Sequence, residues 1–309
     1  MSFINIPPLN TKNYYTLTTA NRTIMGNRII EFIQTKEFEF SLLQIDFQCL
    51  KFGYKLLSHK MEGTSLIHQW ADDLEQIQSY LVLVTDISGN LIDIENFKSI
   101  KTRWEGLKKS LEKKYPEGIE FFIKETDRLV DDKKKFMETF IGYSFWRAFF
   151  QGWYKDQQKE EQQSLVLNKY FGTVDLPLQL HSKIEKFENK ESIYLWKNTA
   201  NLDNKKFNRK AFSRMLKDLT DIYNIDATLS VDMEEKYCFM ENGVLEKADI
   251  FLETFVNNWY SVANAHQIKL TSQVEEKVKK EDLNKSSIFL DFYKKEKKSF
   301  FIEENLYKK

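Results

Sequence analysis

Four histidines (His59, His68, His181 and His266) and two cysteines (Cys49 and Cys238) are the side chains of this 309-residue chain with most chemistry to offer. A zinc site wants several His, Cys or carboxylate ligands at close spacings such as His-x3-His, and no such spacing occurs. His68 stands four residues before Asp72, so on a helix the two would share a face and could pass a proton; an ordinary surface pair is the competing reading. Both cysteines fall on the apolar side of strand patterns without a base beside them, which reads as buried structural thiols. No nucleophile elbow, Walker loop or dinucleotide fingerprint is present, and glycine numbers only 10, too few for the glycine-rich turns that often cradle phosphates. The acidic pairs Asp72-Asp73, Asp131-Asp132 and Glu234-Glu235 read as solvated faces, because neighbours on a helix or strand do not point the same way. Asp86 and Asn90 lack the spaced acidic ligands of a calcium loop. These observations name no catalytic residue, metal or cofactor, and they lean away from an enzyme.

Rings are what the chain has in excess. The stretch from Thr126 to Tyr154 places Leu129, Val130, Phe136, Met137, Phe140, Ile141, Tyr143, Trp146, Phe149, Phe150 and Trp153 three or four residues apart. That period predicts one long amphipathic helix, and so many rings need a broad apolar surface such as a sheet face to lie on. Phe145, Trp146, Phe149, Phe150, Trp153 and Tyr154 cover more of such a helix than one core face requires. They are the candidate partner- or ligand-binding residues, against the plainer reading of core packing on two sides. Phe300-Phe301-Ile302, beside lysines, poses the same question.

The surrounding elements follow from periodicity. Residues 14–62 alternate apolar and polar and read as an antiparallel meander, with Gly26-Asn27 and Gly53 as turns or bulges. Residues 65–158 read as helix, hairpin and helices: a helix to Gln78, a strand from Tyr80 to Val84, a tight turn through Gly89-Asn90, a strand through Ile94, and a helix capped by Asn96. Lys155 to Gln163 reads as a solvated exit. Residues 164–309 read as strands plus one helix, with Pro177 on an edge strand, Asn198 to Asn204 as a polar connection, and Asn242-Gly243 as a hairpin turn. The last segment reads as a hairpin, Ile288 to Tyr293 with Phe300 to Glu303, or else a short helix. The fold class is α+β: a curved antiparallel sheet built from N- and C-terminal strand clusters, with a helical insertion packing an aromatic helix on it. One domain over residues 1–309 is expected; two lobes split near residue 160 are the alternative.

Composition narrows the function classes. Lys plus Arg and Asp plus Glu are both 46, which removes the electrostatic footprint of a nucleic-acid binder. Aromatics at 15% and charged residues at 30% describe a globular chain. No uncharged apolar run approaches a membrane span, and the N-terminus lacks the basic start and apolar core of a secretory signal, so a cytoplasmic location is expected.

At Asp86-Ile-Ser-Gly-Asn-Leu-Ile-Asp-Ile-Glu-Asn96, at Ile100-Lys-Thr-Arg-Trp104 and again in the aromatic stretch, the central third resembles a loose group of uncharacterised bacterial cytosolic proteins. The resemblance implies a bacterial cytosolic protein and carries over no catalytic residue. The leading expectation is therefore a non-enzymatic protein-binding protein of adaptor, chaperone or immunity type, with the aromatic surface facing its partner. The alternative is a binder of a small apolar ligand in a cavity between sheet and helix, and the third is an enzyme with an unrecognised site.

Overall fold

Alternation decides the strands. In the computed structural model, β1 (Thr11–Met25) buries Asn13, Tyr15 and Leu17 and turns the residues between them outward; β2 (Arg28–Ile45) and β3 (Cys49–Glu62) repeat the pattern with Phe38, Phe40, Phe52 and Tyr54. The structure describes residues 4–63, 66–115, 118–141, 144–155, 160–186, 194–220, 226–256 and 260–275. The chain divides into a unit of residues 1–273 and one of residues 274–309, and the architecture below is that of the first. The predicted C-terminal hairpin or helix, with Phe300-Phe301-Ile302, lies outside the described residues, as do Tyr143 and Trp259.

Eleven strands form one antiparallel sheet, with five α-helices beside it among the described residues. After β3 come helix α1 (Leu66–Leu74), a 3-10 turn (Glu75–Gln78), β4 (Tyr80–Asp86) and β5 (Leu91–Ile94). Helices α2 (Phe97–Lys114), α3 (Glu120–Asp131) and α4 (Lys133–Ile141) follow, then a second 3-10 turn (Phe145–Ala148). The chain returns through β6 (Glu160–Leu167), β7 (Leu176–Lys186), β8 (Tyr194–Leu202), α5 (Arg209–Thr220), β9 (Ser230–Phe239), β10 (Leu245–Val256) and β11 (Tyr260–Glu275). The spatial order is β5-β4-β3-β2-β1-β11-β10-β9-β8-β7-β6. Each half is thus a simple meander. The first runs from the centre to one edge, the second from the other edge back to the centre, and the helical segment carries the chain between the two edges. β1 and β11 close the middle: Thr271 bonds Tyr14, His266 bonds Thr19 and Asn264 bonds Asn21, one partner descending as the other rises.

Turn chemistry sets the local geometry where the sequence predicted it. Gly26 (φ 58) and Asn27 join β1 to β2, Gly89 (φ 92) sits in the β4–β5 turn, and Gly243 (φ 79) joins β9 to β10. Asp86 locks its turn, accepting from the Asn90 backbone on one carboxylate oxygen and from the Asn90 side chain on the other, both at 2.9 Å. Gly53 marks a bulge on its neighbour: register shifts at Leu43 of β2, whose side chain lies over Gly53.

Several expectations are corrected. The stretch from Thr126 to Tyr154 is not one helix. It breaks between α3 and α4 at Asp132, which has extended backbone, and its most aromatic part is a single 3-10 turn followed by irregular chain. Periodicity marks which residues are buried, but a segment that passes across a sheet has a buried side without needing helical hydrogen bonds. Asn96 precedes α2 but makes no capping bond to it; its amide accepts from Val82 N and donates to Tyr80 O, continuing the β4 ladder with a side chain. Pro177 is not on an edge strand, since β7 pairs with both β6 and β8. It sits where the β8 ladder ends, accepting from Asp203 N, so its missing N–H interrupts nothing. Asn198 to Leu202 belong to β8, and Glu160 to Gln163 already belong to β6.

Candidate functional site

The ten residues from Phe145 to Tyr154 form a strap across the inner face of the sheet, the face on which the helices pack. Phe145 meets Phe38 and Trp146 meets Tyr54, with ring centres 5.9 and 4.9 Å apart. Phe149 packs on Phe40 at 4.5 Å and edge-on to Tyr15 at 5.5 Å, while Phe150 lies against Phe52. Trp153 reaches the other meander, within 5.1 Å of Trp196, Tyr237 and Phe239. Tyr154 donates its backbone N–H to Ser88 O in the β4–β5 turn. Five of these six predicted site residues are buried and Tyr154 is half-buried. They therefore present no exposed aromatic patch, and their rings face the sheet.

Between strap and sheet lies a crevice of about 20 Å³, lined by Tyr15, Phe40, Phe52, Phe149, Trp153 and Phe239 among others. That is room for about one water. Larger depressions of about 460, 380 and 520 Å³ exist, but they are open and lined mostly by outward-facing charged or small residues such as Arg22, Glu31, Ala263, Lys236 and Lys183. The crevice is the smaller space, and apart from Asn13 its lining residues are apolar or aromatic.

Two inward positions along the strands from the crevice, about 13 Å by the rise from Tyr15 to Thr19 and from Phe239 to Glu235, runs a feature that no single motif announces. Strand register places Gln34, Thr19, His266, Ile250, Glu235, Asn198 and Ser182 in one row across seven strands, polar at every position but Ile250. The row separates two apolar clusters. Leu17, Ile268, Tyr237, Trp196 and Ile184 lie on one side with the strap, whereas Leu252, Met233, Ala200 and Leu180 lie on the other with Phe212 and Leu216 of α5.

The strap's only charged residue between Phe145 and Trp153, Arg147, reaches this row. Its Nε donates to Glu235 Oε1 at 2.8 Å and a terminal nitrogen to Oε2 at 3.2 Å. Asn198 donates to Oε2 at 2.7 Å and is itself held by the Trp196 indole N–H. Gln151 donates to Tyr237 Oη and to the Arg147 carbonyl. Glu235 is wholly buried. Burial pushes its pKa up, but the Arg147 charge and the hydrogen bonds from Arg147, Asn198 and Tyr237 outweigh that and hold it below the ordinary carboxylate value. His266 goes the same way for another reason: burial, aided by the Lys36 charge and opposed by Glu235, lowers it to about 4. Lys36 is committed to Glu75 at 2.7 Å.

The other chemically capable residues are not gathered here. Asp72 is bonded by His59 Nδ1 at 3.0 Å, whereas His68 packs its ring against Phe32. Cys49 and Cys238 are only partly buried, and burial raises both thiols above their ordinary pKa, the opposite of what a nucleophile needs. No group of three or more His, Cys, Asp or Glu able to hold a metal occurs among the described residues. Glu235 is where sequence reasoning failed. Its pairing with Glu234 suggested a wet face, although the inward register Met233, Glu235, Tyr237, Phe239 was there to be read. Asn198 between Trp196 and Ala200 carried the same signal.

No family model matches this chain, and no curated protein does. Among solved structures, a lipovitellin structure concerned with its lipid–protein interactions aligns with 6% identity and a TM-score of 0.48, covering 89% of this chain. This chain spans only 26% of that one. A putative outer membrane lipoprotein-sorting protein domain from Vibrio parahaemolyticus aligns with 7% identity and a TM-score of 0.17, covering 88% of this chain and 90% of that one. Likeness at these scores reaches neither family nor function. No helix among the described residues is long and apolar enough to cross a membrane.

Proposed function

We propose that this protein binds a small apolar ligand between the aromatic strap and the inner face of the sheet. The observation that carries this reading is the strap itself: a ring-rich segment with one short 3-10 turn, laid over a ring-lined crevice. A helix or paired strand in that position would be built into the fold by its backbone; this segment faces the sheet with side chains. Ligand sites are concave, mostly apolar and usually several hundred Å³, so binding requires the strap to rise and the ligand to replace its ring contacts.

Sheet curvature supports the reading. Trp153 touches β8 and β9 while Tyr154, the next residue, bonds the β4–β5 turn. On a flat sheet the six strand spacings from β4 to β9 would put these roughly 29 Å apart. One residue step spans about 3.8 Å. The sheet therefore curls around the strap, and lifting the strap would leave a trough lined by rings.

The test uses N-phenyl-1-naphthylamine, an uncharged dye that fluoresces in apolar surroundings. Saturable uptake with one site per chain is expected, together with a change in tryptophan emission from Trp146 and Trp153. Phe149→Glu puts a charge in the crevice and should abolish uptake, while Phe121→Glu, at a ring 68% exposed on α3, should leave it unchanged. Absence of saturable uptake by folded protein would sink the reading.

A further inference from the structure

Resting on that reading, we infer that the ligand carries a cationic head, an amine or guanidinium, which takes the place of Arg147 on Glu235. The geometry points there because the strap and the buried carboxylate are one unit. Both oxygens of Glu235 accept from the Arg147 fork, and Oε2 accepts from the Asn198 amide as well. Arg147 lies two residues before Phe149, so a strap that rises far enough to admit a ligand withdraws its guanidinium from the sheet. Glu235 sits inside β9 and stays behind. A buried carboxylate stripped of its partner is strongly unfavourable, more so than the pair was ever favourable.

Something must therefore replace the charge. Lys36 is held by Glu75, and its ammonium also lies 5.4 Å over the Phe145 ring of the strap. His266 is neutral at physiological pH and separated from Glu235 by Ile250 in the row. An apolar chain alone would fill the crevice and leave the carboxylate without a counter-charge, held only by the neutral Asn198 and Tyr237. A chain ending in a cation satisfies both halves of the site, its tail among Phe40, Phe52 and Phe239 and its head on Glu235. Arg147 then acts as the site's resident occupant in the closed state. An anionic head would meet Glu235 with like charge, so a carboxylate-ended ligand is disfavoured.

Displacement of N-phenyl-1-naphthylamine by decylamine, decanol and decanoate, each below its micelle concentration at pH 7.5, tests the inference. These share one tail and differ in head charge. Decylamine is expected to compete at least about tenfold more tightly than decanol, with decanoate weakest. Arg147→Met removes the resident cation and should tighten decylamine by about tenfold or more while leaving decanol within about threefold. Glu235→Gln should erase the preference for the amine. Should that variant fold poorly, Arg147→Met with Glu235→Leu replaces the pair by apolar groups, a kind of exchange that folded proteins tolerate, and should erase it too. Equal displacement by amine and alcohol in the natural protein overturns the head-group inference and leaves the apolar site standing. So does an amine preference that survives in the Glu235 variants. Failure of all three to displace the dye, or failure of the dye to bind, overturns the site itself.

Discussion

Arg147 and Glu235, 88 residues apart in the chain, join through two hydrogen bonds beneath the strap, and this pair fastens the crossing segment to the second meander. Breaking and replacing it should give opposite results. Glu235→Ala leaves a buried guanidinium without its counter-charge and is expected to cost about 3–5 kcal/mol; the double exchange Arg147→Met with Glu235→Leu should be near neutral. Urea unfolding followed by circular dichroism reads both. A small loss in the single variant would mean that water reaches Arg147 as soon as its partner is removed.

Acid should weaken the fold earlier than carboxylates alone would require. His266 is neutral in the folded state down to about pH 4, whereas unfolded it titrates near its ordinary value of 6.5. The unfolded chain thus binds more protons between those pH values, so stability is complete above about 6.5 and is lost as pH falls toward 4. The amount is about 3 kcal/mol. Glu235, depressed in the folded state, adds a further loss as pH drops below the ordinary carboxylate range. Unfolding free energy measured from pH 7.5 to 4.5 should slope downward, and His266→Gln should flatten most of that slope.

Gly243 is fixed by two constraints at once. Its φ of 79 suits glycine, and a side chain there would overlap the Asn5 carbonyl. Asn5 is in turn tied to the same turn through a bond from its amide to Glu241 O at 2.7 Å. Gly243→Ala should therefore cost about 2 kcal/mol or more and release the N-terminal lead-in. Faster hydrogen exchange over residues 4–10 would report that release; an unchanged exchange pattern would show that the turn adapts.

Asn96 links α2 to β4 through one amide that both accepts and donates. Asn96→Ala strands the Val82 N–H and the Tyr80 carbonyl, although Arg103 also bonds the latter at 2.8 Å. A loss of about 1–2 kcal/mol is expected, and Asn96→Asp, which keeps the acceptor but not the donor, should lose less. Thermal unfolding of the two variants orders them.

Much of the fold was legible because strand alternation is a local property. The β1 to β3 pattern, the Gly26-Asn27, Gly89-Asn90 and Asn242-Gly243 turns, and the α2 stripe of Ile100, Trp104 and Leu111 each depend on residues a few positions apart. The aromatic stretch was legible as buried and illegible as to form. A helix packed on a sheet and an irregular strap crossing one both bury a ring every third or fourth residue.

Antiparallel α+β character and an excess of rings at buried spacings follow from alternation and composition alone, and the same residues carry no recognisable catalytic motif. That β1 meets β11, that the strap lies across β1 to β3 and reaches β8 and β9, and that Glu235 faces Arg147 cannot be read from neighbouring residues, because each depends on register. A polar residue in an inward position is costly alone and tolerable when paired, and whether Glu235, Asn198 and His266 are isolated or share one row depends on how far each strand slides against its neighbours. That offset is set by turns, bulges and packing spread over the whole sheet.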